Sequence, residues 1–248
     1  MIKLKNASQI ERMRRAGLIV AETLQLMREH AKPGVTTLDL DRMAEKYIRS
    51  QGAIPTFKGY NGFPASLCTS VNEQVVHGIP SLRCLESGDI ISIDCGATLD
   101  GYVGDAAVTL PIGEVGEDIQ KLLRVTEESL MIGLAQAKVG NRLYDVSHAV
   151  QTHVEANGFS VVRDYVGHGI GSAMHEDPQI PNFGKPGRGP RLEVGMALAI
   201  EPMVNMGTYE VKTLNDHWTV VTKDNRPSAH FEHTVAITEN GLEILTRC

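Results

Sequence analysis

No apolar run in the chain approaches the roughly 18 residues needed to cross a bilayer. The opening stretch, MIKLKNASQIERMRRAG, lacks the apolar segment of a secretory signal. Four cysteines occur, Cys68, Cys84, Cys95 and Cys248, with no CxxC pair and no zinc-finger spacing. They read as reduced thiols rather than a disulfide framework. A net charge of −6 with 22% charged residues fits neither a disordered chain nor the basic balance of a nucleic-acid binder. Several catalytic templates are missing as well. There is no GxSxG turn, and His175-Glu176 does not continue to HExxH. The GHGIG stretch around His168 lacks the Lys-Ser/Thr of a phosphate loop, and no cysteine has the local signature of a nucleophile. A soluble cytoplasmic protein without nucleic-acid or membrane partners is the expectation. Lys3, Lys5, Arg12, Arg14 and Arg15 make the start locally basic. They read as a solvated helix face, the alternative being a weak docking surface for an anionic partner.

What is present is a repeat. The 248 residues, 42% of them apolar, lie between one domain and two on length. Segments 31–52 and 137–158 align at a constant offset of 106 with five identities: Ala31/Ala137, Lys32/Lys138, Gly34/Gly140, Asp39/Asp145 and Gly52/Gly158. The likeness extends upstream through Glu11/Glu117, Arg15/Lys121, Ile19/Val125, Glu22/Glu128 and Leu24/Leu130. Each copy reads as a helix, a glycine turn, a second helix and a closing glycine. Sequence of strand type follows each pair: SLCTSV, DIISIDCGATL and YVGDAAVTL in the first half, then SVVRDYV, GMALAIEPMV, HWTVVT and HTVAIT in the second. The pattern predicts one α+β domain over 1–248, with copies at about 8–52 and 114–158 arranged around a central antiparallel sheet. A site between the two halves follows from such an arrangement.

The strands carry acidic residues where apolar ones belong. In DIISIDCGATLDGYVGDAAVTL, Asp100-Gly101 is a two-residue hairpin signal. That turn pairs Leu99 with Tyr102, Gly96 with Asp105 and Asp94 with Ala107. Asp94 and Asp105 then become diagonal neighbours on one face, with Cα atoms about 7–8 Å apart. Ile91, Ile93 and Cys95 occupy the opposite, core face. Two such carboxylates can grip a pair of cations about 3.5–4 Å apart, and the glycine facing Asp105 leaves room for its side chain and an ion. The alternative is two exposed aspartates near a turn. Glu201 lies in an apolar strand that Pro202 must end or bulge, and Glu232 opens the strand FEHTVAIT. A buried carboxylate needs a partner or a metal; the alternative for this pair is structural salt bridges. His168 sits between glycines that permit close backbone approach. His77 and His175 stand among turn residues, and either one alone reads more readily as structural.

The order Asp94, Asp105 eleven residues on, GHGIG, IEP and FEH, with NEQVVHGIP and the 31-residue spacing of Glu201 and Glu232, closely resembles the methionine aminopeptidases of the pita-bread metallopeptidases. The likeness covers nearly the whole chain. The spacing of 33 positions from His168 to Glu201 leaves no room for the helical insertion of the type II form, so type I is indicated. The chain is expected to lack the N-terminal domain of the related prolidases and aminopeptidases P, and an N-terminal zinc-binding extension.

The resemblance implies removal of N-terminal methionine when the second residue is small, through a water or hydroxide bridging two divalent ions (Co, Mn, Fe or Zn). It implies Asp94 on one ion, Asp105 and Glu232 on both, and His168 and Glu201 on the other. Glu201 would also move the proton, and His77 and His175 would stabilise the substrate carbonyl. The implied methionine pocket comprises Tyr60, Phe63, Cys68, His77, Met174, His175 and Trp218. Phe63 and Met174 stand where other members have Tyr and Phe. A monovalent cation (Na or K) near Asn72 and Ser228, a monomeric state and transient ribosome contact are further implications. A pita-bread peptidase of Xaa-Pro specificity and a metal-free binding module of the same fold are the competing readings. Since Ile2 is large, this chain is expected to retain its own Met1; an intact mass short of one methionine would contradict that.

Overall fold

The computed structural model describes residues 1–247; Cys248 lies outside the described residues. Helix α1 (Ala7–His30) opens on a reciprocal capping box, in which Asn6 accepts the Gln9 N–H and the Gln9 side chain accepts the Asn6 N–H. The chain reverses through Gly34 at φ +90° and enters α2 (Thr37–Ser50), capped by Thr36. Helices α3 (Glu117–Leu134) and α4 (Leu143–Ala156) repeat this plan, reversing through Gly140 at φ +94°. Gly52 and Gly158 close the two pairs at φ +74° and +85°, the left-handed region that favours glycine. Asp39 and Asp145 are each the third residue of their helix. Both reversing glycines also dock on a following loop: the Gly34 N–H donates to the Leu85 carbonyl, and the Gly140 N–H to that of Leu192. Gly34/Gly140, Asp39/Asp145 and Gly52/Gly158 thus fall at corresponding places of the two helix pairs, whereas Ala31 caps α1 and Ala137 lies beyond Ala135, the cap of α3.

The strands that matter for the site are β1 (Leu67–Val71), β2 (Ile90–Leu99), β3 (Tyr102–Pro111), β4 (Gly167–Gly169), β5 (Glu176–Ile180), β6 (Ala197–Ile200), β7 (Met203–Asn205), β8 (Ser228–His230), β9 (His233–Thr238) and β10 (Gly241–Ile244). β2 lies between β1 and β3, all antiparallel. A second antiparallel sheet runs β10-β9-β6-β4-β5, and β7 pairs with β8 in a third. The hairpin register is the expected one: Leu99 faces Tyr102, Gly96 faces Asp105 and Asp94 faces Ala107. Asp100 and Gly101 both have positive φ, as a type I′ turn requires. In the second half, SVVRDYV forms strand only at Ser160–Val161 and HWTVVT only at Val220–Thr222. GMALAIEPMV splits at Glu201-Pro202 into β6 and β7, because proline has no N–H for the ladder.

The core fills the space between the helices and the first sheet, with Val20, Met27, Leu40, Ile48, Ile91, Ile93, Leu122 and Val154 buried. Lys5 corrects the reading of a solvated basic face. It precedes the helix, is buried, and its Nζ lies 2.7 Å from Glu176 Oε2. Arg14 pairs with Glu11 and Glu243, Arg15 with Asp100, and Arg12 stacks over Tyr102. Local acidic and aromatic groups already engage much of this basic start.

Helix α1 lies directly on β3. A Cβ at Gly104 would stand 2.6 Å from the Gly17 nitrogen, and one at Gly17 would stand 2.3 Å from the Leu245 carbonyl oxygen. Alanine at Gly17 gains about 0.5–1 kcal/mol of helix preference, but the atoms in its way are backbone. We expect Gly17→Ala to be net destabilising by about 1–3 kcal/mol. Urea titration should show a lower midpoint at unchanged slope; an unchanged or raised midpoint would refute the close packing.

Candidate metal centre

The two sheets meet at a seam where β3 touches β9, and hydrogen bonds lace it. The Glu232 N–H donates to the Ala107 carbonyl at 2.9 Å. The Thr234 hydroxyl donates to the Asp105 carbonyl at 2.7 Å and accepts the Asp105 N–H at 3.1 Å. Since Cys68 faces Asp94 and Asp94 faces Ala107, one row of cross-strand neighbours runs Cys68, Asp94, Ala107, Glu232. A second row runs Asp105, Thr234, Ala199, His168. Glu201 follows the end of β6, and Pro202 marks the break.

The two rows bring Asp94, Glu232, Asp105 and His168 to one place, and the end of β6 adds Glu201. Asp105, His168 and Glu232 offer ligand atoms that all lie within 4.8 Å of one another. His168 Nε2 is 3.8 Å from Asp105 Oδ2 and 3.6 Å from Glu201 Oε1. Asp105, His168 and Glu232 are buried, whereas Asp94 and Glu201 are half-buried. Asp94 Oδ1, Asp105 Oδ1 and Glu232 Oε1 are sealed from solvent without a hydrogen-bond partner. Among the described residues no lysine or arginine forms an ion pair with any of the four carboxylates. Orphaned carboxylate oxygens beside an imidazole are the donor set of a divalent cation site, so these residues fit such a group.

The electrostatics follow from that crowding. Burial raises Asp94 to about 7 and Glu201 to about 8. Asp105 and Glu232 go well above the carboxylate range, through burial first and then through neighbouring acids. Burial lowers His168 and His77 to about 4, and lowers His175 as well. All three imidazoles are thereby kept neutral at pH 7, the form that binds a metal or donates to a carbonyl.

The cluster lines a cavity of about 220 Å³. Its other walls include Phe57, Phe63, Cys68, Met174 and Trp218, with His77, His175 and Tyr60 beside them. Every residue expected in the pocket is there. Trp218 meets Phe63 edge-on with ring centroids 5.1 Å apart, and His175 lies 4.3 Å from the His168 ring. The exposed Tyr60 hydroxyl is 2.8 Å from His175 Nδ1. His77 holds φ +60°, an uncommon conformation for a histidine and one found at functional sites. Burial, and next the Asp94 charge, push the Cys68 thiol up, which keeps it protonated. Asn72 and Ser228 adjoin, with the Ser228 N–H donating to the Asn72 carbonyl at 2.9 Å.

Two expectations need correction or addition. The space opposite Asp105 is not left for an ion: a Cβ on Gly96 would meet the Phe57 ring at 2.6 Å, so the glycine accommodates an aromatic wall of the cavity. No sequence motif marks Phe57; its one signal is the aromatic, glycine-rich stretch FKGYNGF. His230 is a second such residue. It is buried, with Nε2 3.6 Å from Glu201 Oε2, and no motif marks it.

The raised carboxyl pKa values set a pH dependence for the chelator-stripped protein. Above about pH 6.5, where the histidines are neutral in the folded and unfolded chain alike, the folded chain still holds carboxyl protons that the unfolded chain has released, so stability falls as pH rises towards 8; at lower pH the buried neutral histidines act in the opposite direction. Thermal melts of metal-free protein should show Tm decreasing from about pH 6.5 to 8, with divalent cations restoring it most at the alkaline end. A Tm that rises over the same range would contradict the burial of these acids.

Comparison with known proteins agrees with this geometry. The model of Metallopeptidase family M24 matches residues 11–239. A methionine aminopeptidase of Clostridium acetobutylicum is 62% identical, covering 100% of both chains. Methionine aminopeptidase 1 of Bacillus subtilis is 60% identical over the same coverage. The crystal structure of a methionine aminopeptidase from Thermotoga maritima superposes with a TM-score of 0.99 at 49% identity, again covering 100% of each chain. The α+β architecture described above is the pita-bread fold, and the chain belongs to metallopeptidase family M24.

Proposed function

We propose that this chain is a metal-dependent aminopeptidase that removes the N-terminal methionine of nascent proteins and peptides when the second residue is small. The observation that carries the reading is the set of uncompensated, buried carboxylates at the floor of an apolar cavity of about 220 Å³. Asp94, Asp105, His168, Glu201 and Glu232 would hold the divalent ions. The ions are Co, Mn, Fe or Zn, whose ligand preferences match an oxygen-rich set with one imidazole. Bound divalent cations supply Lewis acidity and lower the pKa of water towards neutrality.

The remaining chemistry belongs to the chain's own groups. Phe63, Cys68, Met174 and Trp218 take the methionine side chain and exclude water around it. His77 and His175, neutral at pH 7, donate to the substrate carbonyl oxygen as negative charge develops there. The Tyr60 hydroxyl holds the His175 ring through Nδ1, and in the tautomer where Nδ1 accepts from it, Nε2 carries the proton that is donated. Glu201, as a carboxylate at the end of β6 beside His168, takes the proton from water and passes it to the leaving amine. A bulky second residue would meet the cavity wall. The domain is read as one catalytic unit made of two copies of an ancestral half. It is further read as a cytoplasmic monomer with a monovalent cation (Na or K) beside Asn72 and Ser228. Transient ribosome contact rests on substrate logic alone, since much of the basic N-terminal patch is engaged within the protein.

Initial rates on Met-Ala-Ser and Xaa-Pro peptides test the reading, after reconstitution with each metal and in sodium, potassium and tetramethylammonium salts. Cleavage of Met-Ala-Ser is expected, with Asp105→Ala inactive and binding fewer ions. His175→Ala should lower kcat by about 10²–10³-fold. Cleavage of Xaa-Pro peptides alone would replace this function, and identical behaviour in all three salts would remove the monovalent site.

A further inference from the structure

His230 lies outside the motifs that mark the site, yet its ring is aimed at it. It ends β8, is only 1% exposed, and pairs with Met203, the second residue after Glu201. Thr109 of β3 clasps its main chain: the hydroxyl accepts the His230 N–H and donates to the His230 carbonyl, both at 2.8 Å. With the backbone held on both sides, the ring has little freedom to turn away. Its Nε2 is sealed from solvent without a hydrogen-bond partner. A buried ring nitrogen in that state is costly unless an acceptor closes on it.

The acceptor at hand is Glu201. Its two oxygens face two different imidazoles, with Oε1 3.6 Å from His168 Nε2 and Oε2 3.6 Å from His230 Nε2. We propose that His230 is a positioning residue for Glu201, donating from Nε2 to Oε2 and thereby fixing the carboxylate plane with Oε1 turned towards His168. The inference rests on the role given to Glu201 above. A small rotation of the carboxylate brings the gap to an ordinary N–H···O length of about 2.9 Å. His230 acts only through Glu201, and the group that most needs a defined direction is the one asked both to hold an ion and to carry a proton. Histidines and carboxylates that orient metal ligands in this way tune affinity as well as rate.

The full-length protein, stripped with chelator and titrated with Mn(II) by calorimetry, provides a readout independent of turnover. His230→Leu removes the donor, His230→Asn withdraws it out of reach, and His230→Gln presents an amide donor at comparable reach. The Leu and Asn variants should lose about 10–100-fold in Mn(II) affinity or in kcat on Met-Ala-Ser, with little change in KM. The Gln variant should recover most of that loss. Circular dichroism melts show whether each variant is folded, and the Gln and Asn pair decides the matter if the Leu variant is not. Pulsed EPR of the Mn(II)-loaded wild type should find one imidazole nitrogen on the ions. Unchanged affinity and kcat in the Leu and Asn variants would overturn the proposal, as would a Gln variant as poor as Asn, or two bound imidazoles. A wild type that binds Mn(II) but leaves methionine peptides intact would sink the assigned activity instead, while the Mn(II) titrations would still report on His230 and Glu201.

Discussion

Four carboxylates are packed into one shielded space with no lysine or arginine among the described residues to balance them, and much of the architecture answers that repulsion. Left ionised and unpaired, each would carry a desolvation cost of several kcal/mol. The chain meets this by retaining protons on the acids, which is why burial raises Asp94 and Glu201 so far. It also meets it by fixing the backbones that carry them. The seam bonds between Asp105 and Thr234, and between Ala107 and Glu232, hold acids from two sheets side by side. Without those bonds the acids would relieve their repulsion by moving apart.

The helices serve the same end from behind. Gly104 lets β3 approach the α1 backbone at Gly17, and Gly17 admits the Leu245 carbonyl, so the hairpin bearing Asp94 and Asp105 rests on a stiff surface. Gly96 does the corresponding job on the cavity side, where its missing side chain admits the Phe57 ring. The site therefore has rigid support on one flank and an apolar wall on the other. A low-dielectric wall strengthens the hydrogen bonds that His77 and His175 can make to a developing oxyanion. The same wall keeps those imidazoles uncharged.

Legibility in the sequence followed the range of the interactions. The hairpin register was readable because Asp100-Gly101 is a local turn and side-chain alternation is strict along a strand. The helix pairs were readable because a glycine closes each one. Short pairings such as β4 with β5, or β7 with β8, carry too few residues for a periodic signal, and SVVRDYV overstated a strand that pairs at only two positions. The five acid and histidine positions and the pocket set are marked by motif order and family likeness. Phe57 and His230 are not, because neither breaks an expectation where it stands in the chain.

By itself, then, the sequence determined the local geometry: which turns reverse the chain, which face of the hairpin carries Asp94 and Asp105, and where proline ends β6. Those features depend on φ preferences and on the two-residue period of a strand, which act over a few positions. The tertiary structure alone decided which row of one sheet meets which row of the other. It placed Thr234 against Asp105, Phe57 in the space left by Gly96, and His230 against Glu201. Each of those contacts joins residues 29 to 129 positions apart in the chain, and each depends on how the sheets dock, a choice made by packing and by the need to satisfy buried polar groups rather than by any local preference.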